Sequence, residues 1–569
     1  MFDTVVLGRS CPKKEYETYA PHMRMKLFQA QRICRDRKIP LLIIISGVDG
    51  SGRGAVMNLL SEWMDGKFLH NFVFWQPTDD ERERPLEWRF WRCLPGKGET
   101  SVFFDGWYGS TMRQHCYGEL DAKEFLSRMY EFKGLEESLA LSGMAIVKIW
   151  LHLDRKTHDK RLKNRLEHKT LRHFTPYDKK TSGNYDALVA AASQGITLTD
   201  RNYAPWTIID AADANFRNLA VAKAIVDTVN RVLPIQKARE AGLKIAAKAE
   251  EKLEQASLSF ASPEAHQVGE AADATAVQDQ KDPKKGKDQK DGFDNAHAAD
   301  TAYVPTQTGT GMQPIERRGF LATVPLTTLE AIDLSPTIAQ DEYKKELKKL
   351  QEELQDLTYQ AYKNHISSTL IFEGMDAAGK GGTIRRLLAG VDARISRVIP
   401  ISSPSDEELA HHYLWRFWRH IPRSGFVTIY DRSWYGRVLV ERVEELTPRR
   451  DWSRAYEEIN HFEHQLTKNN NILLKFWLHI SSEEELRRFK ERENTPWKRY
   501  KITPEDWRNR EKWDQYLVAA DEMFLRTSTA YAPWHILSAE DKKYARVTAL
   551  KIWRDALVRA LEAAKAGEK

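Results

Sequence analysis

Two glycines and a lysine at fixed offsets, Gly374, Gly379 and Lys380, stand within residues 371–386, which read IFEGMDAAGKGGTIRR. Glycines at the first and sixth positions of such a loop let backbone N–H groups turn inward onto phosphate oxygens. The start of a following helix, through Gly381, Gly382 and Thr383, adds partial positive charge, and Lys380 adds a full one. Anions are what this loop holds. Gly381 stands where a Ser or Thr hydroxyl usually holds Mg²⁺, so the ion must be held otherwise, and Asp376 inside the loop is the substitute. Residues 426–431, FVTIYD, end on a second carboxylate, Asp431, of the kind that meets Mg²⁺ across from a phosphate loop. Arg432 and Arg437 follow in DRSWYGR. Their guanidinium forks suit the oxygens of a phosphoryl group in transfer; the plainer alternative is a surface ion pair with Glu441 or Glu444. Trp434 and Tyr435 between them read as core rather than as a nucleobase stack. Residues 487–501 carry Arg488, Lys490, Arg492, Lys498, Arg499 and Lys501, either a solvated face or a basic lid over phosphates.

These groups need a scaffold that brings strand ends together. Short apolar runs at 369–372, 397–401, 426–430, 472–478 and 535–537 alternate with amphipathic helical stretches. That alternation predicts an α/β fold, a parallel sheet covered by helices, with the ligand crevice at the carboxyl ends of the strands. Both the glycine loop and Asp431 fall at that end.

The pattern occurs twice. Residues 46–58, SGVDGSGRGAVMN, mirror 373–385, and Gly47 lies 327 positions before Gly374. Trp88-Arg89-Phe90-Trp91-Arg92 returns at the same offset as Trp415-Arg416-Phe417-Trp418-Arg419, and Lys148-Ile149-Trp150-Leu151-His152 as Lys475-Phe476-Trp477-Leu478-His479. Asp105-Gly106-Trp107-Tyr108 parallels Asp431-Arg432-Ser433-Trp434-Tyr435 with one residue fewer, and Tyr203-Ala204-Pro205-Trp206 parallels Tyr531-Ala532-Pro533-Trp534. The chain is a tandem duplication of two long units. Between them, residues 261–312 contain no Leu, Ile or Trp and cannot bury enough apolar surface to fold alone. The expected division is a first copy over 1–240, a flexible linker over 241–317 and a second copy over 318–569. The first copy is expected to be impaired: Arg53 replaces the lysine, Gly106 follows Asp105 where Arg432 follows Asp431, and its lid stretch keeps Arg165 but loses the Pro-Trp-Lys-Arg-Tyr-Lys block.

Composition sets bounds on the remaining classes. In 569 residues, 41% hydrophobic and 30% charged, no stretch approaches the ~20 apolar residues of a membrane span, and no export signal opens the chain. A cytoplasmic location is expected, with no membrane partner. Cys11, Cys34, Cys93 and Cys116 form no C-x-x-C pair, so neither a zinc site nor a disulfide framework is indicated. A net charge of +6 is too mild to argue for a polyanion partner by itself, and no nucleic-acid module is present.

Residues 372–383, FEGMDAAGKGGT, followed by Asp431-Arg432-Ser433-Trp434-Tyr435 and closed by Ala532-Pro533-Trp534, resemble the polyphosphate kinase 2 family, and both copies share the resemblance. The resemblance implies a P-loop kinase-like three-layer fold with a helical lid, Mg²⁺ as cofactor, and phosphoryl transfer between inorganic polyphosphate and an adenine nucleotide. It also implies that Asp376, Lys380, Asp431, Arg432 and Arg492 form the catalytic set, with Asp376 and Asp431 on the metal and Glu441 a supporting carboxylate. The two-domain arrangement, with Gly436 where single-domain relatives commonly have Asn, is similar to the branch that phosphorylates AMP to ADP; transfer to ADP, making ATP, is the alternative. Read from the residues alone, an ATP-driven small-molecule kinase and a non-catalytic polyphosphate scaffold stay open beside it.

Overall fold

The computed structural model describes residues 7–167, 184–260, 328–495, 502 and 504–567. Two parallel five-stranded sheets carry the fold. In the first copy β1 (Leu41–Gly47), β2 (Leu69–Val73), β3 (Thr100–Phe104), β4 (Ala145–His152) and β5 (Trp206–Asp210) lie in the order β2-β3-β1-β4-β5. In the second, β6 (Ser367–Gly374), β7 (Ser396–Pro400), β8 (Val427–Asp431), β9 (Asn471–His479) and β10 (Trp534–Ser538) repeat it as β7-β8-β6-β9-β10. Each expected strand of the second copy is present within a residue or two of its expected ends. The central strands explain themselves: LLIIISG in β1 is buried at every position, as a strand covered on both faces must be.

The chain divides into two compact units, Met1–Ala238 with Leu326–Lys569, and Arg239–Pro325. The first unit contains both sheets. The second is represented among the described residues by the later part of the helix Ala214–Phe260, which includes the stretch 236–258 that reads as helical from its Ala, Lys, Glu and Leu content.

One buried cluster is built identically in both sheets. Lys475 on β9 donates to Glu463 (2.7 Å) and to the Thr527 carbonyl (2.6 Å), while Tyr435 and Trp434 donate to the other Glu463 oxygen at 2.7 and 3.0 Å. Lys148, Glu136, Thr199, Tyr108 and Trp107 repeat it in the first copy. Removing water from a lysine and a glutamate is tolerable only because each is paired and fully hydrogen-bonded. Trp434 and Tyr435 are therefore core, and their job is to pin the turn after β8 to the helix Arg449–Lys468.

The two copies meet through equivalent elements. Trp91 stacks on its counterpart Trp418, with centroids 5.6 Å apart and planes 15° from parallel. The helix Ala122–Leu141 packs on its counterpart Arg449–Lys468, where Ser138 donates to Glu458 (2.9 Å) and Lys468 to Glu124 (3.0 Å) and Glu131 (3.1 Å). A bidentate Arg423–Glu83 pair and a 2.8 Å contact of His461 with buried Glu87 flank it. Equivalent surfaces facing each other are the signature of a local two-fold axis.

Candidate active site

At the end of β6 the backbone turns where a side chain could not fit. Gly374 has φ +138°, and a Cβ there would lie 2.3 Å from the Leu478 carbonyl oxygen of β9. Gly379, at φ +110°, turns the chain into the helix Lys380–Leu388, whose free N–H groups face the strand ends. Lys380 folds back over the loop and donates to the Gly374 (2.6 Å) and Met375 (3.2 Å) carbonyl oxygens. Burial lowers the pKa of its ammonium, and Asp376 opposes that.

The loop forms the floor of a cleft of about 840 Å³. Asp376, Gly379, Lys380, Gly381 and Gly382 line it from the loop, Asp431 and Arg432 from the end of β8, and Arg488 and Arg492 from the helix Ser482–Glu493. Arg432 holds a left-handed backbone, φ +63°, and reaches Asp376 at 3.4 Å. A strained non-glycine residue of this kind persists only when its surroundings fix it. Arg488 is the anchor of its helix. It donates to the Ala377 and Ala378 carbonyls of the loop, both at 3.0 Å, to Ala539 (2.7 Å), and to Glu484 (2.6 Å).

Two carboxylates suit a hard divalent cation. The Asp431 backbone carbonyl accepts from the Ile401 N–H at 3.0 Å, and a Cβ at Gly381 would lie 3.9 Å from the carboxylate Oδ2, so the missing hydroxyl leaves space beside that oxygen. Among the described residues no three His, Cys, Asp or Glu side chains converge as a preformed metal cage. Mg²⁺ does not need one, since it takes one or two carboxylates and fills its octahedron with water and substrate phosphates. The residues present fit that ion.

A scan against family models matches Polyphosphate kinase 2 (PPK2) over residues 10–237 and again over 337–565. The chain belongs to the polyphosphate kinase 2 family. It is 37% identical over 561 residues to the polyphosphate:AMP phosphotransferase of Pseudomonas aeruginosa, covering 98% of each chain. It is 39% identical over 220 residues to the ADP-polyphosphate phosphotransferase 3 of Rhizobium meliloti, covering 39% of this chain and 78% of that one. The crystal structure of a polyphosphate kinase 2 from Pseudomonas aeruginosa PA01 superposes with a TM-score of 0.77 at 35% identity over 99% of both chains.

Within this polyphosphate kinase 2 fold, not every expected site residue reaches the cleft. Gly374 lines a smaller cavity of about 70 Å³ behind the loop. The Thr383 hydroxyl is buried and returns to the Gly379 carbonyl at 3.3 Å. Arg437 pairs with Glu441 at 2.9 Å, donates to Thr447 at 2.7 Å and lies over the Tyr413 ring; neither Arg437 nor Glu441 lines the cleft. Lys498, Arg499 and Lys501 lie outside the described residues, as does the side chain of Arg165 in the first copy. Four basic residues that the sequence did not single out complete the cleft wall: Arg385 and Arg386 on the helix after the loop, and Lys542 and Arg546 on the helix Lys542–Gly567. The Arg-Arg pair one turn into the loop helix was a readable signal. Nothing local marks Arg546, which arrives from 160 positions downstream.

The first copy corrects one reading of the repeat. β1 pairs Ile45 with Phe104, and β6 pairs Phe372 with Asp431, so the register equates Phe104 with Asp431 and Asp105 with Arg432, with no residue missing. The backbone agrees: Asp105 and Arg432 donate to Ile45 and Phe372 at 2.9 and 3.1 Å and share φ values of 64° and 63°. The first copy thus has a phenyl ring in place of the second carboxylate and an acid in place of the arginine. Arg53, at the lysine position, is buried between Asp49 and Asp105, and Arg113 pairs with both of them. Arg217 lies over the loop, its Nη1 occupying the space a Gly52 side chain would need. The loop is filled by the protein's own guanidinium groups.

Proposed function

We infer that the second copy transfers the terminal phosphoryl group of inorganic polyphosphate to AMP, giving ADP and a polyphosphate one unit shorter. The observation that carries this is the full-length likeness to a polyphosphate:AMP phosphotransferase, joined to an intact phosphate loop facing a basic cleft in the second copy alone. An α-phosphate oxygen of AMP attacks the terminal phosphorus, and the bond to the penultimate phosphate breaks, its electrons staying on the shortened chain. Both groups are already ionised, so no general base or nucleophilic side chain is required, and catalysis rests on positioning and charge.

In this reading the loop N–H groups and Lys380 hold the phosphoryl group that moves. Arg432 and Arg492 neutralise charge on its oxygens, and Arg385, Arg386, Lys542 and Arg546 hold the rest of the donor chain along the cleft wall. Arg437 and Glu441 act at most through the turn they brace; for Lys498, Arg499 and Lys501 the role proposed is phosphate binding. Asp376 and Asp431 would hold Mg²⁺, which when bound supplies Lewis-acid neutralisation of the phosphates. We further take 1–240 and 318–569 as the two domains and 241–317 as their linker. A cytoplasmic setting is supported by four unpaired cysteines; among the described residues no helix is long and apolar enough to cross a membrane.

Initial rates with AMP or ADP at equal concentration, Mg²⁺ and excess polyphosphate or ATP test the reading. Faster turnover of AMP with polyphosphate is expected. ADP as the preferred acceptor, with ATP as first product, would overturn the acceptor, and ATP as the better donor would overturn polyphosphate.

A further inference from the structure

Asp376 is held differently from its counterpart in the first copy. Asp49 is bound by the guanidinium groups of Arg53 and Arg113, which neutralise it. Asp376 instead accepts a 2.8 Å hydrogen bond on Oδ2 from the side-chain amide of Asn509, and on Oδ1 only the longer 3.4 Å approach of Arg432. An amide orients a carboxylate without cancelling its charge, which is what a cation ligand needs of its neighbour.

The amide is itself fixed. The Tyr516 hydroxyl donates to Asn509 Oδ1 at 3.4 Å, which decides the end of the amide that faces Asp376. Asn509 sits on the helix Pro504–Glu511, and the next residue, Arg510, ties that helix to Ser482–Glu493. Arg510 donates to the Ser482 carbonyl at 2.7 Å, to its hydroxyl at 3.1 Å, and to buried Glu485 at 3.2 Å. The helix bearing the amide is therefore docked to the one that Arg488 anchors on the phosphate loop. Orientation of Asp376 and docking of the two lid helices are parts of one hydrogen-bonded chain.

We propose that Asn509 is a positioning residue for the reaction: it holds Asp376 in the orientation that binds the divalent cation, and it does so only while the helix Pro504–Glu511 is docked. The inference rests on the reading of Asp376 as a metal ligand, and the test separates the two. Mn²⁺ is titrated into the full-length protein in the presence of AMP without polyphosphate, so that nothing turns over, and free Mn²⁺ is followed by its electron paramagnetic resonance. Wild type, Asn509→Leu, Asp376→Asn and the double variant are compared, with the thermal midpoint of each.

Expected are a loss of Mn²⁺ affinity of about tenfold or more in Asn509→Leu, a loss at least as large in Asp376→Asn, and no further loss in the double variant. If Asp376→Asn loses affinity and Asn509→Leu does not, the positioning role is wrong while the metal role stands. If Asp376→Asn binds Mn²⁺ as wild type does, the metal reading fails and this inference with it. Equal losses from Asn509→Leu in both backgrounds, with a lowered midpoint, would mark a purely structural residue and overturn the proposal. Should the leucine variant not fold, Asn509→Ala takes its place with the same expectations.

Discussion

Arg53 and Lys380 occupy equivalent positions, and the structure predicts opposite consequences for removing them. Arg53 is buried against Asp49 and Asp105, which are buried in turn, with side chains 2% and 8% exposed. In Arg53→Ala, Arg113 alone remains to offset two carboxylates, and an uncompensated buried charge costs about 3–5 kcal/mol. In a domain of 150–250 residues each kcal/mol moves the midpoint by about 2–4 °C, so calorimetry should find the first copy melting roughly 10 °C lower. Turnover at a temperature below that transition should be close to wild type. Lys380 is half-buried, and its partners are two loop carbonyls that can turn to water, so Lys380→Ala should move the melting profile by no more than about 1 kcal/mol. Its turnover should fall at least ~10³-fold, because a charge aimed at the phosphoryl group is lost where one neutral donor is already worth 10²–10³. The assay is ADP formation from AMP and polyphosphate alongside differential scanning calorimetry. A folded Arg53→Ala protein that loses more than ~90% of turnover, or a Lys380→Ala protein that keeps more than ~10%, would refute the division of labour between the copies.

Two further outcomes follow from the geometry. Burial, and next the neighbouring Arg488, depress the Lys542 ammonium from 10.5 to about 8, so it is charged at pH 7 and largely neutral at pH 9. The KM for polyphosphate should therefore rise several-fold over that interval; Lys542→Met should start at the higher value and lose the rise, and an unchanged profile would be the contrary result. Because the unfolded chain keeps this proton to higher pH, the same shift adds stability as pH rises from about 8 toward 10.5. Trp91→Ala removes a buried indole from the contact with Trp418 and should cost about 3–5 kcal/mol, seen as separation of the two copies' melting transitions; a single unshifted transition would contradict the packing described.

Most of what positions the site was legible because it is local. A strand, a glycine turn and a helix N-terminus lie in consecutive residues, so 367–388 could be read directly, and the five strands of the second copy followed from short β-branched and aromatic runs. The Asp105 alignment failed because it matched residue types where the sheet enforces register: a parallel ladder fixes Phe104 opposite Ile45 whatever chemistry its neighbour offers. Arg437 takes the plainer of the two readings that its sequence offered, an ion pair with the glutamate four residues on. Arg546 and Asn509 were invisible because tertiary packing alone brings them to a loop more than 130 positions away.

The contact between Trp91 and Trp418 has an evolutionary consequence. In a dimer of identical chains each substitution strikes both sides of the axis at once, so a change that ruins one site ruins both. Joining the copies in one chain breaks that bond between them. With the copies joined, the first can carry Arg53 at the lysine position and Phe104 at the carboxylate position while its contact face still packs on the second through Trp91. Because both faces are tethered, the pair assembles at any protein concentration and always in a one-to-one ratio. On the proposed assignment of turnover to the second copy, joining the copies lets one serve chemistry and the other support.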